Sequence, residues 1–390
     1  MQHNTQRLYT KTFFTLCTSY AFFGASFNMI LPELPSFLSA MGGEDYKGLI
    51  IALFTLTAGL SRPFSGKLAD VIGRKPIIIF GIIVCIICSL IYPILSTVSG
   101  FLLLRLVHGF STGFSPTAMT SYVADIVPAH RRGEAMGIIG VSINLGSSIS
   151  APWGSFLATE YSLDVMFYAS SLLAIISMLF LFKLRETVKV KQTFRPSLLL
   201  LKRNEILSQR ALLPAAVCGL AYMGFGALIT ITPDQCTYLG ITNKGLFFTT
   251  FLICAVFSRL FAGRLSDIYG RTPIMRIAIV LLALSYWVFG KSENPTWLLA
   301  ASGLVGFCLG IVIPAVFAWT VDRSTDQNRG KALATVFIGL EMAIGIGALL
   351  GAAIYANDHE RFDLVFIVIG GITLLGVFFT QDKGEELMQQ

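Results

Sequence analysis

Charge is scarce in this sequence. Asp, Glu, Lys and Arg supply only 13% of its 390 residues, against ~25% in an ordinary soluble domain, while hydrophobic residues supply 54%. Such a chain has too few polar side chains to cover a water-facing surface, which excludes a soluble globular protein. Histidine is rarer still, with four residues, and neither a cluster of metal-ligand spacing nor a nucleophile constellation is present. The chain therefore reads as no enzyme and as needing no cofactor. A phosphate-cradling loop of the form G-x-x-x-x-G-K-[ST] is also missing, which argues against direct ATP drive. Of the seven cysteines, Cys85 and Cys88 have redox spacing. They sit in an all-apolar stretch without polar ligands and read as packing, because a buried free thiol behaves as a small hydrophobe.

What the sequence does have is apolar runs long enough to cross a bilayer, about 17 to 25 residues each. Twelve are expected, at 12–39, 48–69, 76–97, 99–124, 133–157, 163–183, 211–239, 245–265, 273–290, 296–321, 331–356 and 361–380. The first run, broken by Pro32 and Pro35, is too long for a cleavable signal peptide and lacks a small-residue cleavage site. The expected class is an all-α membrane protein of twelve transmembrane helices in two six-helix bundles, 1–183 and 211–390. A basic linker, 184–210, joins them.

Cationic residues are unevenly shared between the loops. Arg74, Lys75, Arg131, Arg132, Arg271, Arg276, Arg323, Arg329 and Lys331 fall on the linker's side, against Lys47, Lys244, Lys291 and Arg361 on the other. By the positive-inside rule the linker and both termini are cytoplasmic. The net charge of +7 thus sets topology and implies no nucleic-acid partner.

One short loop occurs twice. Gly66-Lys67-Leu68-Ala69-Asp70-Val71-Ile72-Gly73-Arg74-Lys75 returns as Gly263-Arg264-Leu265-Ser266-Asp267-Ile268-Tyr269-Gly270-Arg271-Thr272, an offset of 267 − 70 = 197 residues. The same offset pairs Gly109 and Gly113 with Gly306 and Gly310, Asp125 with Asp322, and Ser61-Arg62 with Ser258-Arg259. Six spans per half is an even number, so the halves are parallel repeats about an axis along the membrane normal.

On these residues the chain resembles the major facilitator superfamily of secondary transporters over essentially its whole length, and most closely its twelve-span drug or metabolite:proton antiporters. The loop 66–75 is similar to the superfamily's signature G-x-x-x-D-[RK]-x-G-R-[RK], departing from it at Val71, Ile268 and Thr272. The resemblance implies gating roles for Gly66, Asp70, Gly73, Arg74 and Asp125, and for Gly263, Asp267, Gly270, Arg271 and Asp322 in the second copy. It places Asp70 near the N-terminus of span 11, where a carboxylate is favoured by the helix dipole, and directs Arg74 toward Asp125. The alternative reading is topogenic charge at helix ends.

Polar residues inside spans carry the remaining candidates, because an ionised group facing lipid costs at least ~2.5 kcal/mol at mid-depth. Arg105, His108 and Thr112 share one helical face at i, i+3 and i+7; they line a substrate cavity or tie the helix to its neighbours. Asn28, Asn144, Tyr222, Phe225, Trp153 and Trp319 are further cavity candidates. Glu341, whose repeat mate is Asn144, is the first candidate for proton coupling, with Glu33 and Asp234 (234 − 33 = 201) in the outer parts of spans 1 and 7. Gly137, Gly146, Pro152 and Gly154 form a degenerate relative of the superfamily's antiporter motif, and tight packing explains them equally.

The expected function is alternating-access transport of a small solute across a bacterial inner membrane by a monomer, as proton-coupled efflux. Proton-symport uptake of an anion recognised by Arg105 is the first alternative. A non-transporting membrane sensor or assembly factor is the second.

Overall fold

Helix starts are marked in the sequence by hydroxyl and amide side chains that accept a hydrogen bond from an otherwise unpaired backbone N–H. In the computed structural model Thr10 accepts from Phe13, Thr97 from Gly100, Ser162 from Val165 and Asn294 from Trp297, at 2.9–3.2 Å. The structure describes residues 9–128, 131–188, 190–200, 207–324 and 329–380, apart from the side chains at 133, 263, 264, 267 and 329. Among these residues the regular structure is helical throughout, without a strand.

Twelve helices of span length follow in order: α1 (Lys11–Ile30, continued by Leu31–Glu33 and Leu34–Ala40), α2 (Lys47–Val71), α3 (Arg74–Ile91), α4 (Val98–Ile126), α5 (Arg132–Glu160), α6 (Leu163–Phe182), α7 (Leu212–Tyr238), α8 (Leu246–Tyr269), α9 (Arg271–Gly290), α10 (Pro295–Asp322), α11 (Arg329–Tyr355) and α12 (Phe362–Leu374, continued by Gly376–Phe379). Ten of the described segments are long and apolar enough to cross a membrane, and Leu246–Ala262 is a shorter apolar helix. The remaining helix, α4, has 29 residues and carries Arg105, His108 and Asp125. The chain is a multi-pass membrane protein.

Two compact units form: Met1–Gly42, Leu56–Lys202 and Asn243–Gly245 make the first; Gly43–Thr55, Arg203–Thr242 and Leu246–Gln390 make the second. The sequence halves are thus not quite the units. The start of α2 is counted with the second unit, and the residues just before α8 with the first.

Within the first unit α1 packs on α5 and α6, and α3 on α4 and α6; within the second, α7 packs on α11, and α9 on α10 and α12. The contact plan repeats as the sequence does. Small and hydroxyl side chains make these approaches, as expected where lipid removes a hydrophobic drive between helices. Ser26 and Ser170 each donate to the other's carbonyl, at 2.7 and 2.9 Å. Two turns along, Ser19 and Ser177 do the same at 2.9 and 2.7 Å, so α1 and α6 run antiparallel along a serine seam. A Cβ at Gly146 or Gly154 would strike the α1 backbone at Ala21 or Met29, whereas Gly137 has open space around it. In the span-5 motif, Gly146 and Gly154 are packing positions and Gly137 is not.

Candidate functional site

The α2–α3 turn is built by Gly73, whose φ of 132° lies in a region costly for residues with a Cβ. It delivers Arg74 to the start of α3. Arg74 Nε donates to Asp125 Oδ2 at the end of α4, 3.1 Å away, and the guanidinium also pairs with Asp70. Thr187 Oγ1 donates to the same Asp125 oxygen at 2.7 Å. Asp70, Arg74, Asp125, Arg132 and Thr187 line an open groove of about 730 Å³. Gly66, one turn before Asp70, sits beside Thr117 of α4.

Under this groove lies a residue that sequence reasoning missed. Glu186, beyond α6, accepts the backbone N–H groups of Arg74 and Lys75 at 3.0 Å each, and also those of Thr187 at 2.8 Å and Val188 at 3.0 Å. Its carboxylate thus caps the N-terminus of α3, where the helix dipole favours negative charge. Burial pushes the Glu186 carboxyl upward, but the four backbone donors outweigh it and hold the group below its ordinary range. The segment behind it is tied down by Tyr122 Oη donating to the Arg185 carbonyl at 2.5 Å and Lys75 Nζ donating to that of Leu184 at 2.9 Å. An acid at the start of a basic stretch was the available signal.

The second copy is looser. Gly270 has φ 87°, and Arg271 donates to Asp322 at 3.3 Å and to Ser266 at 3.0 Å. Asp322 is more than half exposed, against a third for Asp125. The side-chain positions of Gly263 and Asp267 lie outside the described residues.

At the other end of the bundle each unit holds a lysine–carboxylate pair. Lys244 Nζ donates to Glu33 Oε2 at 3.0 Å and to Ser36 at 2.6 Å, while Ser155 donates to Glu33 Oε1 at 2.6 Å. Lys47 Nζ donates to Asp234 Oδ2 at 2.5 Å and to Asn357 at 3.1 Å. All four charged side chains are at most 14% exposed. The acids were foreseen; the lysines were noted only as loop charges.

Inside the spans the candidates separate. Arg105, His108 and Thr112 do share a face, but they are 1%, 0% and 7% exposed. Arg105 donates to Tyr92 at 3.3 Å, Tyr92 bonds His108 Nδ1 at 3.2 Å, and His108 Nε2 lies 3.5 Å from the Cys85 thiol. Helical spacing defines a face, and here the face is packed within the first unit, as in the alternative of a tie to neighbouring helices. Trp319 is likewise buried, under the Arg323 guanidinium. Trp153 is exposed and meets Phe156 edge-on. Asn28 donates to Ser147 at 2.7 Å, and the half-buried Asn144 has an amide nitrogen with no partner. Tyr222 meets Phe225, which meets Phe251. Glu341 is 8% exposed, midway along α11.

The family model described as Major Facilitator Superfamily matches residues 16–242 and again 215–387. The chain is 26% identical over 380 residues to the multidrug resistance protein MdtG of Klebsiella pneumoniae (strain 342), covering 92% of this chain and 89% of that one. It is also 26% identical over 369 residues to the multi-drug resistance efflux pump PmrA homolog of Lactococcus lactis subsp. lactis (strain IL1403), covering 88% of each. The crystal structure of a D-xylose-proton symporter superposes with a TM-score of 0.77 at 15% identity, over 95% of this chain and 96% of that one. With two matches to one family model tiling nearly the whole sequence, the chain belongs to the major facilitator superfamily and is a transporter, not an enzyme.

Proposed function

We propose that this protein is a proton-coupled exporter of small solutes in a bacterial inner membrane, acting as a monomer with both termini cytoplasmic. The observation that carries the reading is the full-length similarity to relatives named for multidrug resistance and efflux. Carboxylates buried in or beside the spans support the coupling: Glu341 in α11, Glu33 and Asp234. Taking on a proton removes the charge whose burial is costly, so a carboxyl at such a site exchanges between a proton and a cationic partner or solute as access alternates. The groove around Asp70, Arg74 and Asp125 is a gating cluster on the linker side.

Uptake of an anion by Arg105 is the weaker reading, because that guanidinium is tied to Tyr92 within the helix packing. The test is solute flux in proteoliposomes under an imposed pH gradient, with internal pH followed by a dye and lipophilic cations, neutral drugs and organic anions supplied in turn. Protons moving opposite to a solute, and losing that coupling in Glu341→Gln, is the expected result. Protons moving with an anion would establish symport, and no flux of any kind would favour a sensor.

A further inference from the structure

The lysines of the two lysine–carboxylate pairs are mates under the internal repeat, while the acids they reach, Glu33 and Asp234, stand four residues out of that register (234 − 33 = 201). Lys47-Gly48-Leu49 and Lys244-Gly245-Leu246 are the same tripeptide 197 residues apart (244 − 47). Their surroundings repeat as well. Gly48 is pressed against Ala348 and Ala352 of α11, where a Cβ would be tight, and Gly245 against Ala151 and Pro152 of α5, where a Cβ has no room. Ala151 and Ala348 are themselves mates at the same offset (348 − 151 = 197). Each lysine thus arrives on a tightly seated glycine, reaches a buried acid, and belongs to a segment of one sequence half counted with the unit of the other.

We propose that Lys47 and Lys244 are positioning residues that latch the segments 43–55 and 243–245, and that protonation of Asp234 and Glu33 releases them. The proposal rests on the proton-coupled reading for its place in transport. A proton from the aqueous phase bonds to Asp234 Oδ2 and the Lys47 Nζ–H···Oδ2 bond breaks. Lys47 keeps its own protons and turns to water. With the charge attraction gone, residues 43–55 lose one tie to α7.

Lys47 and Tyr355 face Asp234, with Asn357 on the lysine; Tyr355 is within electrostatic reach of both Asp234 and Asp358, and its hydroxyl bonds His359 Nδ1 at 2.8 Å. Glu44 and Asp45 line the 210 Å³ cavity that also contains Lys47, Tyr355 and Asn357. Those facing Glu33 are Lys244 and Ser155, with Ser36 on the lysine. The environments differ in one useful respect. Lys47 opens onto a cavity with Glu44 and Asp45 at its lining, whereas Glu33 accepts from the Ser155 hydroxyl and is only 7% exposed.

The experiment reads segment release without requiring transport. Ala348→Cys places a thiol at a fully buried position beneath Gly48, and its modification by a membrane-impermeant maleimide is compared with that of Glu293→Cys at an exposed loop, which corrects for the reagent's own pH dependence. The expected result is slow labelling at pH 8 that accelerates about tenfold at pH 5, as a local opening would give. Lys47→Gln should label fast at both pH values, Lys47→Arg should behave as the parent, and the exchange Lys47→Asp with Asp234→Lys should restore slow labelling at pH 8. Ala151→Cys with Lys244→Gln repeats the test in the first unit. Labelling indifferent to pH and to Lys47 would overturn the latch, and if Lys47→Gln does not accumulate, the arginine variant and the exchange still decide. Acid-dependent labelling in a protein that moves solute without protons would overturn the coupled-transport reading and leave the latch standing.

Discussion

Replacing Glu186 by Gln removes one of two oxygens and the charge that together accept four backbone N–H groups, two of them from the first turn of α3. The amide oxygen can keep the donors now served by Oε1, but the amide nitrogen then faces the Lys75 N–H, donor against donor. A charge-assisted hydrogen bond is worth ~1.5–3 kcal/mol and a helix cap ~0.5–2 kcal/mol; the site is half-buried, so we expect a loss of about 1–2 kcal/mol. For a chain of this size that lowers an apparent Tm by roughly 2–4 °C. Thermal unfolding in detergent, followed by tryptophan fluorescence across a pH series, measures it. The folded-state pKa of Glu186 is depressed, so its stabilisation is present above the unfolded value and is lost as pH falls through the folded one. The gap between parent and Glu186→Gln should therefore be constant from about pH 8 to pH 5 and close below roughly pH 4. A gap that persists undiminished at pH 3.5, or that is absent at pH 7, would refute the capping argument.

Three further outcomes follow from the packing. Gly146→Leu should prevent stable folding, because even its Cβ meets the Ala21 backbone, whereas Gly137→Ala, with open space, should be neutral or stabilise by up to ~1 kcal/mol; yields by size-exclusion chromatography compare the two. A double-mutant cycle on Ser26→Ala and Ser170→Ala, read by unfolding in detergent, should give a coupling of about 0.6 kcal/mol and no more than ~2 kcal/mol. Lys244→Met alone should destabilise by about 3–5 kcal/mol by leaving Glu33 buried without its cation, while Lys244→Met with Glu33→Leu should recover most of the loss. Equal losses in the single and double variants would mean that the lysine matters for its packing.

The twelve helices and their order were legible because each is a long apolar run closed by a polar loop, and the repeat fixed their pairing at a single offset. What sequence could not reveal depends on chain segments returning from far away. Glu186 caps a helix 112 residues earlier, and an acid in a basic linker says nothing about which backbone it meets. Glu33 and Asp234 were visible as acids at span ends, but the lysines that neutralise them lie 211 and 187 residues distant. Arg105 illustrates a different limit: periodicity assigns it a face without saying whether that face meets open space or another helix. Gly137, Gly146 and Gly154 read alike in sequence, and only backbone proximity separates them.

The exchange of lysines has a consequence for how such a chain could arise. The first repeat supplies Lys47 to an acid of the second, and the second supplies Lys244 to an acid of the first. That reciprocity, residue i meeting j while j meets i, is what an isologous contact between two identical subunits displays. A six-helix polypeptide carrying one such lysine and one such acid would complete both bonds only with a second copy of itself. The two pairs are alike in charge and differ in setting: Glu33 also accepts from Ser155, while Lys47 shares its cavity with Glu44 and Asp45.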